Sequence, residues 1–110
     1  MKNNKIQLPK FLKNRYNVWK ATSYLQNEKN IKKLAKLGQK PKAMIISCCD
    51  SRVNVSSIFG AKEGDFFIHR NIANIIPPYG STKTDHSTFA AIEYAIKELK
   101  VPNFIVLAIL

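Results

Sequence analysis

Residues 43–53 read Ala-Met-Ile-Ile-Ser-Cys-Cys-Asp-Ser-Arg-Val and join an apolar run to a polar cluster. The run at residues 43–46 follows Pro41 and Lys42 and is typical of a short buried strand. The polar residues therefore come where the strand gives way to a loop. In an open parallel sheet this carboxyl-end edge is where ligands bind. The sequence predicts a functional site at this edge.

The polar cluster contains a thiol, a carboxylate and a guanidinium. If the backbone stays extended through Asp50, side-chain alternation places Cys48 and Asp50 on one face and Cys49 on the other. The Arg52 guanidinium could then hold the carboxylate ionised and oriented, and a thiolate suits zinc. The residues alone leave two interpretations open: a metal site, or an ordinary turn with buried sulfhydryls and an ion pair.

The cluster resembles the Cys-x-Asp-Ser-Arg motif of the β-class carbonic anhydrases. The resemblance continues in the same chain order, with Gly-Gln-x-Pro at residues 38–41 and Arg-Asn-x-Ala-Asn at residues 70–74. It covers roughly residues 39–107. The motif Cys-x-Asp-Ser-Arg followed by Arg-Asn-x-Ala-Asn is a specific pair, and it is far stronger than either motif alone.

The resemblance implies an α/β fold, a parallel β-sheet core with flanking helices and an N-terminal helical extension. Residues 1–38 would form the extension, and residues 39–110 would form a partial α/β carbonic anhydrase domain. The implied function is zinc-dependent, reversible hydration of carbon dioxide to bicarbonate. The alternative is a non-catalytic α/β domain with a basic N-terminal binding surface.

The resemblance also implies a role for individual residues. Cys48 would be a zinc ligand, and Asp50 and Arg52 would be the catalytic pair, in which Arg52 decides whether Asp50 serves the reaction or ligates the zinc itself. Gln39 would hydrogen-bond the oxygens of carbon dioxide or bicarbonate, as an amide can without adding charge.

Three further polar residues follow the predicted strand at residues 66–68. Arg70 and Asn71 are expected to brace the loop that carries Asp50 and Arg52. His69 is expected to be structural rather than a zinc ligand, because it lies inside the motif that contains Arg70 and Asn71.

The resemblance breaks after the strand predicted at residues 104–107. The family continues with Gly-His-x-x-Cys, which supplies two more zinc ligands, but this chain reads Ala108-Ile109-Leu110, with Ile109 at the histidine position. We therefore expect one zinc ligand of three and no activity from these 110 residues alone. A fragment, a frameshift product and a genuine short protein would share this ending, and the downstream nucleotide sequence would distinguish them.

Charge is distributed unevenly along the chain. Residues 1–42 hold twelve Lys and Arg and one Glu, a net charge of +11, whereas residues 43–110 hold six of each sign. The basic residues are nearly all lysines scattered along helix-like segments, so we expect no specific nucleic-acid partner. No apolar run is long enough for a membrane span, and two adjacent cysteines fit a reducing cytoplasm. The expected partners are carbon dioxide or bicarbonate and further copies of the chain.

Apolar spacing predicts the remaining elements. A helix over residues 10–26 and a second over residues 30–37 precede the sheet. A helix over residues 86–100 is expected to face the sheet with Phe89, Ile92, Ile96 and Leu99. The apolar run at residues 104–110 is typical of a strand buried on both faces. In these 110 residues alone, however, Ile105, Leu107, Ile109 and one edge of the sheet are expected to lack part of their cover. The short spacing from Cys48 to Arg52 argues against a cysteine phosphatase, and the adjacent cysteines do not form a Cys-x-x-Cys redox motif.

Overall fold

The chain divides into two compact units, one ending at Lys36 and the other beginning at Leu37. The computed structural model describes residues 6–80 and 86–108. The expectation placed on Ile109 therefore lies outside the described residues.

The first unit is helical. It contains α1 (Lys10–Trp19), a π-helical turn (Lys20–Tyr24) and α2 (Leu25–Leu37), which follow one another without a break. The two separate helices predicted from the sequence were wrong in this respect, since residues 27–30 contain no glycine or proline to end a helix. None of the three segments buries a residue. No helix in the described ranges is long and apolar enough to cross a membrane.

The second unit is an α/β fold, as predicted. Its parallel sheet has the strand order β2-β1-β3 in the described part of the chain, so β1 is central. The elements in chain order are β1 (Ala43–Cys48), α3 (Val55–Ile58), β2 (Phe66–Asn71), a 3-10 turn (Ile72–Asn74), α4 (His86–Glu93), a π-helical turn (Tyr94–Glu98) and β3 (Phe104–Leu107).

The core is built on the two faces of β1. Met44 and Ile46 are fully buried on the face that packs against Ala95, in the turn that follows α4. Ala43 and Ile45 are buried on the opposite face, in a cluster completed by Val55 together with the half-buried Phe66 and Leu107. A strand covered on both faces needs a continuous apolar run, which is why the alternation typical of a half-exposed strand is missing here.

The helix after β2 packs on the sheet through smaller side chains than predicted. Ala95 and Thr88 are fully buried, and Ala91 and Ile92 pack beside them. The prediction that Ile96 faces the sheet was wrong, because 56% of its surface is exposed. Small residues allow the helix backbone to approach the strands closely, and this requirement takes precedence over the spacing of the large apolar residues.

The incomplete cover expected for β3 is confirmed for Ile105 and Leu107, although the apolar run of this strand is typical of one buried on both faces. Phe104, Ile105 and Val106 are 41%, 38% and 46% exposed, and only Leu107 packs partly into the core. In the described sheet β3 pairs with β1 along one side only. Its other edge therefore presents apolar side chains and backbone groups that could pair with another chain.

The central position of β1 gives a test of the core. Ile46→Ala should lower the free energy of unfolding by about 2–5 kcal/mol, because it leaves a cavity in a fully buried site. Ile58→Ala is the matched control, since Ile58 is 58% exposed and should change stability by roughly 0.5 kcal/mol or less. Urea unfolding followed by circular dichroism measures both, and equal midpoints for the two variants would contradict this account of the core.

Candidate functional site

The polar cluster lies at the carboxyl end of β1. The strand ends at Cys48, the N–H of Cys49 still donates to the carbonyl of Asn71 at 2.9 Å, and residues 51–52 form a turn. Cys48 is half-buried, whereas Cys49 is exposed. The two cysteines therefore differ in access to solvent.

Asp50 and Arg52 form a two-pronged ion pair. Arg52 donates from Nε to Asp50 Oδ1 at 2.9 Å and from Nη2 to Asp50 Oδ2 at 2.6 Å. The backbone N–H of Arg52 also donates to Asp50 Oδ1, at 2.9 Å. The predicted direct pair is thus confirmed. These bonds, those from the guanidinium first, hold the pKa of Asp50 below its ordinary value.

The Cys48 sulfur accepts two backbone hydrogen bonds. The N–H of Asp50 donates to Sγ at 3.4 Å, and the N–H of Ala73 donates to it at 3.3 Å. Both bonds stabilise the thiolate and thereby lower the pKa of the Cys48 thiol. The bond from the Asp50 N–H has the larger effect. Cys48 therefore has the chemistry of a metal ligand, because the thiolate is the form that binds metals.

Arg70 braces the loop between Cys48 and Val53, as predicted. It lies on β2 beside Ser47, in the register that pairs these two strands. Its Nε donates to the carbonyl oxygen of Cys48 at 2.8 Å, and Nη2 donates to those of Asp50 and Val53 at 2.8 and 2.5 Å. The planar guanidinium of Arg70 thus donates hydrogen bonds to three carbonyl groups, at the end of β1 and in the bend that follows it.

The Asn71 backbone carbonyl bonds that loop, since it accepts from the N–H of Cys49 at 2.9 Å. The Asn71 side chain does not, and this corrects that part of the prediction. It donates from Nδ2 to the carbonyl of Ile75 at 2.7 Å and to Thr88 Oγ1 at 3.2 Å, and its Oδ1 accepts from the N–H of Ile75 at 2.8 Å. The reason is that β2 continues through Asn71, so alternation sends Arg70 and Asn71 to opposite faces.

Thr88 is a site residue that the sequence argument missed. It is fully buried on α4, and His69 Nε2 lies 2.9 Å from its hydroxyl oxygen. A polar residue at the sheet-facing position of a helix is the signal that could have identified it. This contact also accounts for His69, which bonds Thr88 rather than joining Cys48.

Gln39 is not brought to the cluster within this chain. It lies exposed in the segment before β1 begins, whereas Cys48 and the Asp50–Arg52 pair follow the end of that strand. The two therefore lie at opposite ends of β1.

The described residues do not contain a complete zinc site. Across residues 6–80 and 86–108, no group of three or more His, Cys, Asp or Glu side chains is placed to hold a metal ion. Cys48 has the character of a zinc ligand, but the described residues do not supply its partners. An apolar cleft of about 470 Å³ lies along α4, lined by Tyr79, Phe89, Ile92 and Ile96, and none of the cluster residues lines it.

A parallel α/β sheet that ends in a hydrogen-bonded thiol beside an oriented carboxylate defines the class of the β-carbonic anhydrases, which are zinc enzymes. A family model described as carbonic anhydrase matches residues 43–108, and the chain belongs to this family.

Known proteins agree with this assignment. Beta carbonic anhydrase 5, chloroplastic, of Arabidopsis thaliana is 41% identical over 96 residues, which cover 87% of this chain and 31% of the relative. The structure of the β-carbonic anhydrase CcaA has a TM-score of 0.78 at 32% identity, covering 84% of this chain and 40% of that one. A structure from a set of two tetrameric β-carbonic anhydrases of Sordaria macrospora has a TM-score of 0.75 at 40% identity. The match covers 89% of this chain and 47% of that one. The chain spans less than half the length of each.

Removing the guanidinium tests the electrostatics of the pair. Arg52→Gln should raise the pKa of Asp50 toward the ordinary value of 3.8, because its main stabilising donors are lost. In the wild type the pair stabilises the fold above the ordinary carboxyl pKa, and this contribution is lost as the pH falls through the lowered value. Carbon-detected NMR titration of the Asp50 carboxyl measures the shift.

Lys97→Gln is the matched control for this titration. It removes a cation that pairs with Glu93 at 3.6 Å, away from the cluster, and should leave the pKa of Asp50 unchanged. An Asp50 pKa that is the same in Arg52→Gln and in the wild type would count against the pair.

Proposed function

We propose that this chain carries the Cys48 half of the active site of a β-carbonic anhydrase that reversibly hydrates carbon dioxide to bicarbonate. The observation that supports this most directly is the two-pronged Asp50–Arg52 pair next to the hydrogen-bonded Cys48 sulfur. Membership of the family supports the same reaction.

We propose that Cys48 is one of three zinc ligands and that the two others are not among these 110 residues. The chain has two cysteines and two histidines. Of the described residues, Cys49 is exposed next to the ligand itself and His69 is bonded to Thr88. Zinc in a site with an open position lowers the pKa of its bound water toward neutrality, which is the chemistry that hydration needs.

Asp50, Arg52 and Arg70 would orient this site. Because both carboxylate oxygens accept from Arg52, Asp50 stays ionised and its remaining lone pairs are aimed by the guanidinium. Arg70 fixes the backbone of the same bend through three carbonyls. Asp50 could therefore accept a hydrogen bond from the reacting water or from the hydroxyl group of bicarbonate without reorganisation, which is the property that favours a transition state.

Joining the chain to the missing part of the site tests the function. A chimera of residues 1–107 with the Arabidopsis segment that follows the matching strand would add the family's Gly-His-x-x-Cys. It should bind zinc stoichiometrically and hydrate carbon dioxide in a stopped-flow assay. The 110-residue chain is expected to lose zinc on dialysis and to act no faster than buffer.

Two variants and a control make the chimera decisive. Cys48→Ser should abolish stoichiometric zinc binding, and Asp50→Asn should retain zinc but lower kcat by about 100-fold or more. Ser56→Ala changes an exposed residue outside the cluster and should have neither effect. A folded, zinc-loaded chimera without hydration activity would refute the proposal, as would full activity in Cys48→Ser.

We also propose that the chain assembles with further copies of itself. The aromatic stripe of α1, formed by Phe11, Leu12, Tyr16 and Trp19, is 59%, 41%, 50% and 41% exposed. In the second unit, the exposed apolar edge of β3 is a separate surface that could also pair with another copy. Burying one such side chain is worth about 1.5–3 kcal/mol, which is a large part of a native stability of about 5–15 kcal/mol. The tetrameric state named for the Sordaria macrospora enzymes supports the same proposal.

Sedimentation tests the assembly. The chain should sediment as an oligomer or aggregate at micromolar concentration, and Trp19→Ser should shift it toward smaller species, because it removes a large, partly exposed apolar ring from the stripe that would be buried on assembly. Tyr79→Ser is the control, since Tyr79 is 100% exposed outside the stripe. A stable, cooperatively unfolding monomer would exclude this assembly.

We propose a cytoplasmic location from the two free cysteines, which fit a reducing compartment. The Arabidopsis relative is named chloroplastic, so relatives of this chain also occur in organelles.

A further inference from the structure

We propose that Asn71 and Thr88 are positioning residues for Cys48, acting through the turn that follows β2. The proposal concerns the same site as the proposed function and rests on it for its relevance to zinc binding. The structural claim itself can be tested without metal or activity.

The turn in question adopts an unusual backbone conformation. Ala73 and Asn74 have φ values of 58° and 46°, in the left-handed region that residues other than glycine rarely occupy. Alanine has no side-chain group that could compensate locally for this conformation. The turn therefore needs support from its surroundings.

Asn71 supplies that support across the turn. Its amide oxygen accepts from the N–H of Ile75 at 2.8 Å, and its amide nitrogen donates to the carbonyl of the same residue at 2.7 Å. The Asn71 side chain thus bonds both backbone groups of Ile75 and links the first and last residues of the segment 71–75. A side chain that lacks either the oxygen or the nitrogen could form only one of these bonds.

Thr88 fixes the orientation of that amide. The second hydrogen of Asn71 Nδ2 is directed at Thr88 Oγ1, at 3.2 Å, so both N–H groups of the amide are used. Thr88 is fully buried on α4, and His69 approaches the same hydroxyl at 2.9 Å. The helix and the strand therefore meet at one buried hydroxyl that holds the Asn71 side chain in place.

The product of this arrangement is a single N–H group aimed at Cys48. With the turn held, the N–H of Ala73 donates to Cys48 Sγ at 3.3 Å. The other donor to the same sulfur, the N–H of Asp50 at 3.4 Å, belongs to the bend held by Arg70. The two N–H donors to the sulfur thus belong to two segments of the chain, one bonded by the Arg70 side chain and the other by the Asn71 side chain.

The Asp50 amide serves as the internal control of the experiment, because its segment is bonded by the Arg70 side chain rather than by that of Asn71. Thr88→Val keeps the shape of the side chain but removes the hydroxyl, and Thr88→Ser retains it. In residue-resolved hydrogen exchange, Thr88→Val should speed exchange at the Ala73 and Ile75 amides by about tenfold or more while the Asp50 amide keeps its rate. Thr88→Ser should exchange like the wild type.

Asn71→Ala provides a second variant if Thr88→Val fails to fold, because Asn71 is only half-buried. It should have the same selective effect on Ala73 and Ile75. Asn54→Ala removes a comparable side-chain cap, the bond from the N–H of Ser57 at 3.3 Å, and should leave Ala73 unchanged. Equal acceleration at Asp50 and Ala73 would show a merely structural role and overturn the proposal, as would no change at Ala73 in Asn71→Ala.

Discussion

The site depends on a strand that is covered on both faces. Because β1 is central and its residues 43–47 are buried, its end point in space is fixed by packing on every side. Cys48 is the first residue of that strand to reach the half-exposed edge. Everything that follows, from the bend at Asp50 to the guanidinium of Arg52, starts from this fixed point. A loop attached to a less constrained strand could not place a thiol and a carboxylate with the same regularity.

On the neighbouring strand β2, successive side chains point to opposite faces and therefore contact different segments of the chain. Arg70 and Asn71 are adjacent in sequence, but their side chains lie on opposite faces of β2 and bond two different segments of the chain. Arg70 collects carbonyl groups from the bend, while Asn71 holds the turn that carries Ala73. Two backbone N–H groups, one from each of these segments, thus donate to the Cys48 sulfur. The motif Arg-Asn-x-Ala-Asn is understandable in these terms, because each of its first two residues acts on a different loop.

Much of this arrangement could be predicted from the sequence. The apolar run at residues 43–46 identified the buried strand, the two-residue spacing of Asp50 and Arg52 identified their pair, and the motif containing Arg70 identified a brace. Asn71 was misassigned because its direction depends on where β2 ends, and propensity alone does not define strand ends. Thr88 was missed because its partners lie on another element, 17 and 19 residues away in the chain. The partial exposure of β3 was expected, although its local pattern of apolar residues taken alone is typical of a strand buried on both faces.

The way Arg70 holds the bend has a consequence for protein chemistry. A carbonyl oxygen is present in every residue, so the three bonds from Arg70 do not depend on which side chains the bend carries. The exposed Cys49 is therefore free to be exchanged for serine without disturbing its neighbours. Such a protein would have a single sulfhydryl, and any thiol-directed label or spectroscopic signal from it would report on Cys48 alone.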